Sequence, residues 1–238
     1  MSVETPAAGS PEHADPPLRR RDLAVARSLD SARLRSEGRV QRFLDAGFEL
    51  LARAESGKEF TVQEVVDRSG QSLRSFYQYF AGKHELLLAL FDEAIRATAE
   101  RLEEQIAHED NARERLHRFV VEYYLMCLPA PKGRPSKNNP TPVMAEFCHQ
   151  LLTSHQTEAS KAFVPLVSLL ENVLDEAADA RVVRPGLRHA DVAGVVLSTI
   201  MFNAAYAATI SGDEEPRNGE QDAKKIWEFV SGGIVTAA

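Results

Sequence analysis

Two groups of residues have the types and spacing to do chemistry. The first is Arg74, Ser75, Tyr77, Gln78 and Lys83. An arginine pairs bidentately with guanine, and tyrosine hydroxyl or glutamine amide bonds phosphate or base. Ser75 adds a short donor for a flanking phosphate, and Lys83 stands where a helix is expected to begin. A positive charge there opposes the helix dipole, and a nearby phosphate would compensate it. The second group is Glu146, Cys148, His149 and His155. On a helix Cys148 and His155 could share a side, but four well-placed metal ligands do not emerge. The chain carries no glycine-rich phosphate loop, no G-x-S-x-G and no H-E-x-x-H. No enzyme activity, metal or cofactor is therefore expected. Cys127 and Cys148 are expected as core thiols, with redox sensing the other reading.

The elements around the first group explain how it could be presented. From Ser36 the spacing of Val40, Phe43, Leu44, Gly47, Phe48 and Leu51 is helical, with a stop near Ser56-Gly57. Thr61 and Glu64 form an S/T-x-x-E capping box, so a second helix starts there. Val62, Val65 and Val66 supply its apolar face, Ser69-Gly70-Gln71 breaks it, and Ser72 caps a third helix reaching about Tyr79. Two short helices around a glycine turn make a helix-turn-helix, a unit that places its last helix in a DNA major groove. On that helix Phe76, Tyr79 and Phe80 cluster inward, and Arg74, Tyr77 and Gln78 cluster opposite. Free N–H groups at the start of helix two, beside Thr61 and Gln63, also favour phosphate.

Beyond Gly82 the chain reads as longer amphipathic helices with no strand alternation and no internal repeat. The expected fold is all-α with about nine helices. Three domains are expected: a disordered, arginine-rich extension over 1–35, a helix-turn-helix domain over 36–82, and a ligand-binding and dimerisation domain over 83–238. The stretch 129–142 is a loop by composition, and Pro165 marks either a kink or a helix start. The apolar stretch 192–210 has the length of a membrane span. It contains Ser198, Thr199, Asn203, Tyr206 and Thr209, so a helix buried between others is expected. No secretory signal is evident at the N-terminus, and the expected location is cytoplasmic.

Composition bounds these readings. The chain has 238 residues, 44% hydrophobic and 26% charged, with formal charge −7 and two cysteines. It can bury a core without staples, and a disulfide scaffold is excluded. The acidic total argues against a nucleic-acid partner only if charge is spread evenly, and it is not. Residues 1–90 hold thirteen basic and thirteen acidic residues, while 91–238 hold fifteen basic and twenty-two acidic. Residues 19–42 alone carry eight arginines against three acids. That segment is either an arm that follows a DNA backbone or enters the minor groove, or a solvated linker.

Thr61-Val62-x-x-Val65-Val66, Gly70, Ser72, Ser75-Phe76-Tyr77-x-Tyr79-Phe80-x-x-Lys83-x-Glu85-Leu86 resembles the N-terminal signature of TetR-family transcriptional regulators. The resemblance is detailed over residues 40–95. It implies nine or ten helices, of which the first three bind DNA and the others bind a ligand and dimerise. Thr61 then resembles the capping and phosphate-contact position, and Gln63 an adjacent DNA-facing one. Tyr77 and Lys83 match the phosphate-binding Tyr and Lys, and Ser75 stands where Thr is usual. Three positions depart from the pattern. Leu73 occupies a place often polar and base-reading, and the helical wheel turns it toward the core, leaving at most a thymine-methyl contact. Arg74 replaces a common Gly or Ala and extends the base-reading reach, and Gln71 replaces a common Val. The operator sequence is therefore not transferable.

The same resemblance implies a dimer through the last two helices, about 188–210 and 222–235. Val195, Val196, Ile200, Ala204, Ala205 and Ala208 would allow close contact there, with Trp227, Phe229 and Val230 adding bulk. A two-fold dimer calls for an inverted-repeat operator in double-stranded DNA. A ligand cavity would lie among helices four to eight. Its candidate liners are Ile95, Leu102, Phe119, Tyr123, Phe147, Leu151, Phe163, Val167 and Phe202, each also readable as plain core. Few charges fall on those faces, so the expected effector is apolar or amphipathic. The expected function is a ligand-responsive repressor. The competing reading is a helical protein-interaction adaptor that binds no DNA.

Overall fold

The structure is a computed structural model that describes residues 20–53, 60–128, 142–211 and 218–236. Nine helices occur among the described residues: α1 (Arg20–Arg53), α2 (Val62–Ser69), α3 (Leu73–Tyr79), α4 (Lys83–Ile106), α5 (Ala112–Cys127), α6 (Pro142–Ser154), α7 (Gln156–Asp179), α8 (His189–Ser211) and α9 (Gly219–Ile234). The all-α expectation holds. The chain divides into two compact units, residues 1–41 and 42–238.

The described part of the first unit is the N-terminal stretch of α1. The helix begins at Arg20, well before the expected start at Ser36, so the expected disorder of 1–35 is corrected over 20–35. Ala, Leu and Arg are strong helix formers, and the Arg33 Nε–Glu37 Oε1 pair at 2.6 Å spans one turn. The stretch is exposed, with Val25, Leu29 and Leu34 more than half open to solvent.

In the second unit, local signals set the start and end of α2 and the start of α3. Thr61 accepts from the Glu64 N–H at 3.2 Å, and Glu64 Oε2 accepts from the Thr61 N–H at 2.7 Å. The bonds that the Thr61 N–H and hydroxyl donate to that carboxylate, and then the Lys83 charge, hold the Glu64 carboxyl below its ordinary range. The reciprocal cap is therefore present above the ordinary carboxylate range and is lost as pH falls through the lowered Glu64 value. Gly70 ends α2 in the left-handed region, φ 63, and its N–H bonds Val66 O. Ser72 then caps α3 through the Ser75 N–H at 3.1 Å. Asn111 and Asn218 cap α5 and α9 in the same manner.

The larger core lies among α4, α5, α7, α8 and α9. Leu102, Leu116, Phe119, Val120, Leu166, Leu170, Leu174 and Ile200 are fully enclosed in it. Arg115 of α5 reaches Glu176 of α7 at 2.7 Å, and Arg118 pairs with Glu109 at 2.8 Å. The α7–α8 connection is tied to the end of α9 by an isolated antiparallel bridge, Val183 to Val235. Arg184 Nη2 adds a 2.7 Å bond to Gly232 O. Pro165 lies inside α7, which starts at Gln156, so it is not a helix start. The expected stop at Ser56-Gly57 and the loop 129–141 fall outside the described residues.

Gly70 is the turn residue whose conformation a side chain resists, at about 1 kcal/mol or somewhat more. Gly70→Ala is expected to lower the melting temperature by about 2–4 °C for a chain of this size. A thermal scan showing no loss would contradict this account of the turn.

Candidate DNA-binding surface

The surface is built from the ring cluster beneath it. Phe76 is fully buried, with its centroid 5.5 Å from Phe43 and 5.4 Å from Phe80. Phe43 also meets Phe80 edge-on at 6.1 Å. A Cβ on Gly47 would come within 2.8 Å of Leu90 Cδ1, so a glycine there lets α1 approach α4 closely. Arg68 of α2 pairs with Glu49 of α1 at 2.8 Å, and the Glu85 carboxylate accepts from the Ala81 N–H at the start of α4. These two contacts position the helices, and sequence reading missed both. The Arg68–Glu49 pair leaves no sequence signal because its partners lie on different helices.

With Phe76 fixed inward, Arg74, Tyr77 and Gln78 stand exposed on the other side of α3. Tyr77 is 56% exposed while its ring leans edge-on against Phe76 at 5.4 Å. The phenol therefore has a fixed base and a free hydroxyl end, which suits a contact to phosphate. Leu73, expected toward the core, is 43% exposed. It shares a wheel sector with Phe76 and Phe80, but it opens the seven-residue helix, one turn beyond the ring cluster. The exposed methyls remain suited to a thymine methyl and not to a hydrogen bond.

The remaining expected residues divide. Ser72 is exposed and its hydroxyl is committed to the cap. Thr61 is exposed, and its hydroxyl donates to Glu64 Oε2 at 2.8 Å. Gln63 is exposed and donates to Asp67 Oδ1 at 2.7 Å. Ser75 Oγ is enclosed and finds no hydrogen-bond partner among the described residues, so it does not reach outward as expected from the sequence. The Lys83 ammonium lies 5.0 Å from the centre of the Phe60 ring, at the start of α4.

Leu102, Phe119, Tyr123, Phe147 and Leu151 are buried, and Ile95, Phe163 and Val167 are half-buried. Phe91 joins Phe147 and Phe163 at 6.3 and 5.6 Å. Phe202 stands apart from this set, 57% exposed and stacked on Tyr206 at 4.9 Å. Among the expected dimer residues, Val196, Ile200, Ala204 and Val230 are buried in the chain's own core. Trp227 is half-buried with its ring 4.9 Å from His117. Val195 is exposed, and the side chain of Ala208 lies outside the described residues. An apolar cavity of about 450 Å³ is lined by Val195, Thr199, Phe229, Val230, Gly232 and Gly233, among others.

Burial pushes the Cys127 thiol up to about 12 and the Cys148 thiol to about 11. Both are protonated near neutral pH, which makes them poor nucleophiles and supports the core-thiol reading over redox sensing. No group of three or more His, Cys, Asp or Glu able to hold a metal occurs among the described residues.

This arrangement defines a class, a helix-turn-helix regulator of transcription that binds DNA. Residues 43–90 match the family described as bacterial regulatory proteins, tetR family. Over that segment the chain is similar to the TetR family of transcriptional regulators. Its fold is similar to that of the transcriptional regulator FadR from Bacillus subtilis, solved in complex with stearoyl-CoA. The two are 18% identical, with TM-score 0.59 over 81% of this chain and 98% of that one. It is similar also to the reduced form of E. coli NemR, 17% identical, with TM-score 0.60 over 84% and 99%. The ketosteroid transcriptional regulator KstR2 of Mycobacterium tuberculosis is 18% identical, with TM-score 0.52 over 84% and 96%. None of the curated proteins matches the chain by sequence.

Arg74→Ala is expected to weaken binding to a selected operator by about tenfold or more, as one bidentate pair to a base is worth about 1–3 kcal/mol. Tyr77→Phe should weaken it less and evenly across sequences. Normal affinity for both variants in a gel shift would refute α3 as the reading helix. Native protein should also react with a disulfide reagent at pH 7.4 much more slowly than unfolded protein. Equal rates would contradict the raised thiol values.

Proposed function

We propose that the chain is a ligand-responsive repressor that binds an inverted-repeat operator as a homodimer, in the cytoplasm, and performs no catalysis. The observation that carries the DNA-reading part is the exposed trio Arg74, Tyr77 and Gln78 on a helix anchored by the buried Phe76. Thr61, Gln63, Ser72 and Lys83 surround it as candidates for phosphate contact, and Leu73 as the apolar base contact. Ser75 contributes only if its hydroxyl turns outward. In domain terms 36–82 reads DNA and 83–238 binds effector and partner. No described helix is long and apolar enough to cross a membrane.

Support for the dimer comes from the two faces of α8. Val196, Ile200 and Ala204 recur every four residues and point into the chain's core. Val195, Thr199, Phe202 and Tyr206 form a second stripe, and three of these are exposed. Phe229 of α9 is 71% exposed and lines a cavity with Val195. An apolar face left open on a helix that is already apolar on its inner side calls for a partner. Exposed Val195 and Phe229 keep the interface role expected from the sequence and Phe202 joins them, while Val196, Ile200, Ala204 and Val230 serve the chain's own core.

Support for the effector site comes from the half-buried Ile95, Phe163 and Val167 beside Phe147 and Leu151. Their apolar character fits an apolar or amphipathic ligand, in keeping with the stearoyl-CoA bound by one structural neighbour. The α4 helix runs from Lys83, next to the reading unit, to Ile106, where it packs with α5 and α7. A ligand that favours one setting of α4 would shift the dimer between states that do and do not match half-site spacing.

Val195→Asp with Phe229→Asp is expected to give a folded monomer by light scattering, with operator affinity lowered at least tenfold. Because both side chains are exposed, folding should be retained by circular dichroism. A dimer of unchanged stability would reject this interface.

A further inference from the structure

The N-terminal stretch of α1 has a charge arrangement that acids at helical spacing do not satisfy among the described residues. Arg33 is paired, its Nε 2.6 Å from Glu37 Oε1. Arg35 and Arg39 are placed differently. The positions three and four residues away from Arg35 are Ser31, Ala32, Gly38 and Arg39. Around Arg39 those positions are Arg35, Ser36, Arg42 and Phe43. No acid stands at helical spacing from either, both are exposed, and they lie one turn apart. Like charges at that spacing weaken a helix. At about 100° per residue, Arg27, Ser31, Arg35, Gly38 and Arg39 fall within roughly a third of the circumference. Asp30 and Glu37 lie outside that arc.

Gly38 is an independent observation on the same face. A glycine inside a helix is destabilising relative to alanine. Nothing lies within 4 Å of a Cβ built at Gly38, and its φ is not positive. No packing or backbone demand among the described residues accounts for a glycine there. A close approach from outside the protein does account for it, by a group that also neutralises arginines.

We propose that this face of α1, with Arg27, Arg35 and Arg39 flanking Gly38 and Ser31, is a second DNA-contact surface that lies along a phosphate backbone. The guanidinium groups meet phosphate oxygens, the Ser31 hydroxyl donates to one more, and Gly38 lets the strand come near the helix axis. The helical form decides between the two DNA routes that the sequence left open. A helix about 10–12 Å across does not thread a minor groove about 6 Å wide. Backbone contact carries no sequence information, so this surface adds affinity and salt dependence and leaves base choice to α3. The inference rests on the protein being a DNA-binding regulator, but it can fail separately.

The test is a salt titration of the full chain on a random-sequence duplex, read by fluorescence anisotropy, with operator selection run beside it. Arg35→Gln with Arg39→Gln is expected to lower the slope of log K against log salt by about 1.8, near 0.9 for each phosphate no longer neutralised. The selected operator sequence should stay the same. Gly38→Ala should weaken binding at every salt concentration while its helix signal at 222 nm stays equal or rises. A double variant with the original slope would overturn the proposal, as would Gly38→Ala with the original affinity. A double variant that changed the selected operator would also overturn it, by assigning these residues to base reading. Failure of the unaltered chain to bind any duplex would instead sink the DNA-binding reading itself.

Discussion

The packing of Phe76 between Phe43 and Phe80 is the constraint on which the DNA-reading surface depends. The α3 helix has seven residues and is far too short to hold itself together in water. Its orientation is therefore set by tertiary contact, and Phe76 is its one buried residue. Each edge-on ring pair adds about 0.5–1.5 kcal/mol beyond the area it buries. It also fixes rotation, which matters more here. Turning α3 by one residue in one sense would carry Arg74 and Gln78 off the exposed side, and in the other sense would bring Tyr77 inward. Rotational certainty at Phe76 thus sets which side chains can meet a base.

The same logic of two faces governs α8. A helix with a single apolar face becomes a surface helix, and one apolar all round must be covered all round. In α8 the chain covers the face that holds Val196, Ile200 and Ala204 and leaves Val195 and Phe202 uncovered. The glycines Gly232 and Gly233 beside them in α9 keep the neighbouring surface low. In the proposed dimer these features act together, because shallow ground next to large exposed rings suits close contact between helices. The spacing of two reading heads would then be set by the packing of α8 and α9, far along the chain from α3.

Much of the DNA-reading unit was legible because its signals are local. Thr61 with Glu64, Gly70, and Ser72 each act through neighbours three or four residues away, so the helix ends could be read from spacing alone. Phe76 against Arg74 and Tyr77 was legible because a short helix has only one way to bury a ring. Leu73 was misread because a wheel gives direction but not depth, and the ring cluster ends before its turn. Ser75 was misread for the opposite reason: a small hydroxyl can be enclosed where a longer polar group could not. Val195 and Val196 look alike in sequence, so both stood as dimer candidates, and only the packing of α5 and α7 shows that Val196 faces inward. The helix over 20–35 escaped because it has no apolar partner among the described residues of its own unit, so the periodicity that marks packed helices is faint there.

That helix also changes the meaning of the net charge. A total of −7 describes an acidic protein, and at long range it repels DNA. The Debye length at physiological salt is about 8 Å, so a phosphate near the surface responds to the charges beside it and not to the total. Between Arg27 and Arg39 the balance is positive, while the deficit belongs wholly to residues 91–238. Acidic residues repel phosphate and the arginine row attracts it, so in the proposed contact the charges beside the phosphate, and not the total, set the affinity. An uneven charge of this kind costs some intrachain repulsion, as between Arg35 and Arg39 one turn apart.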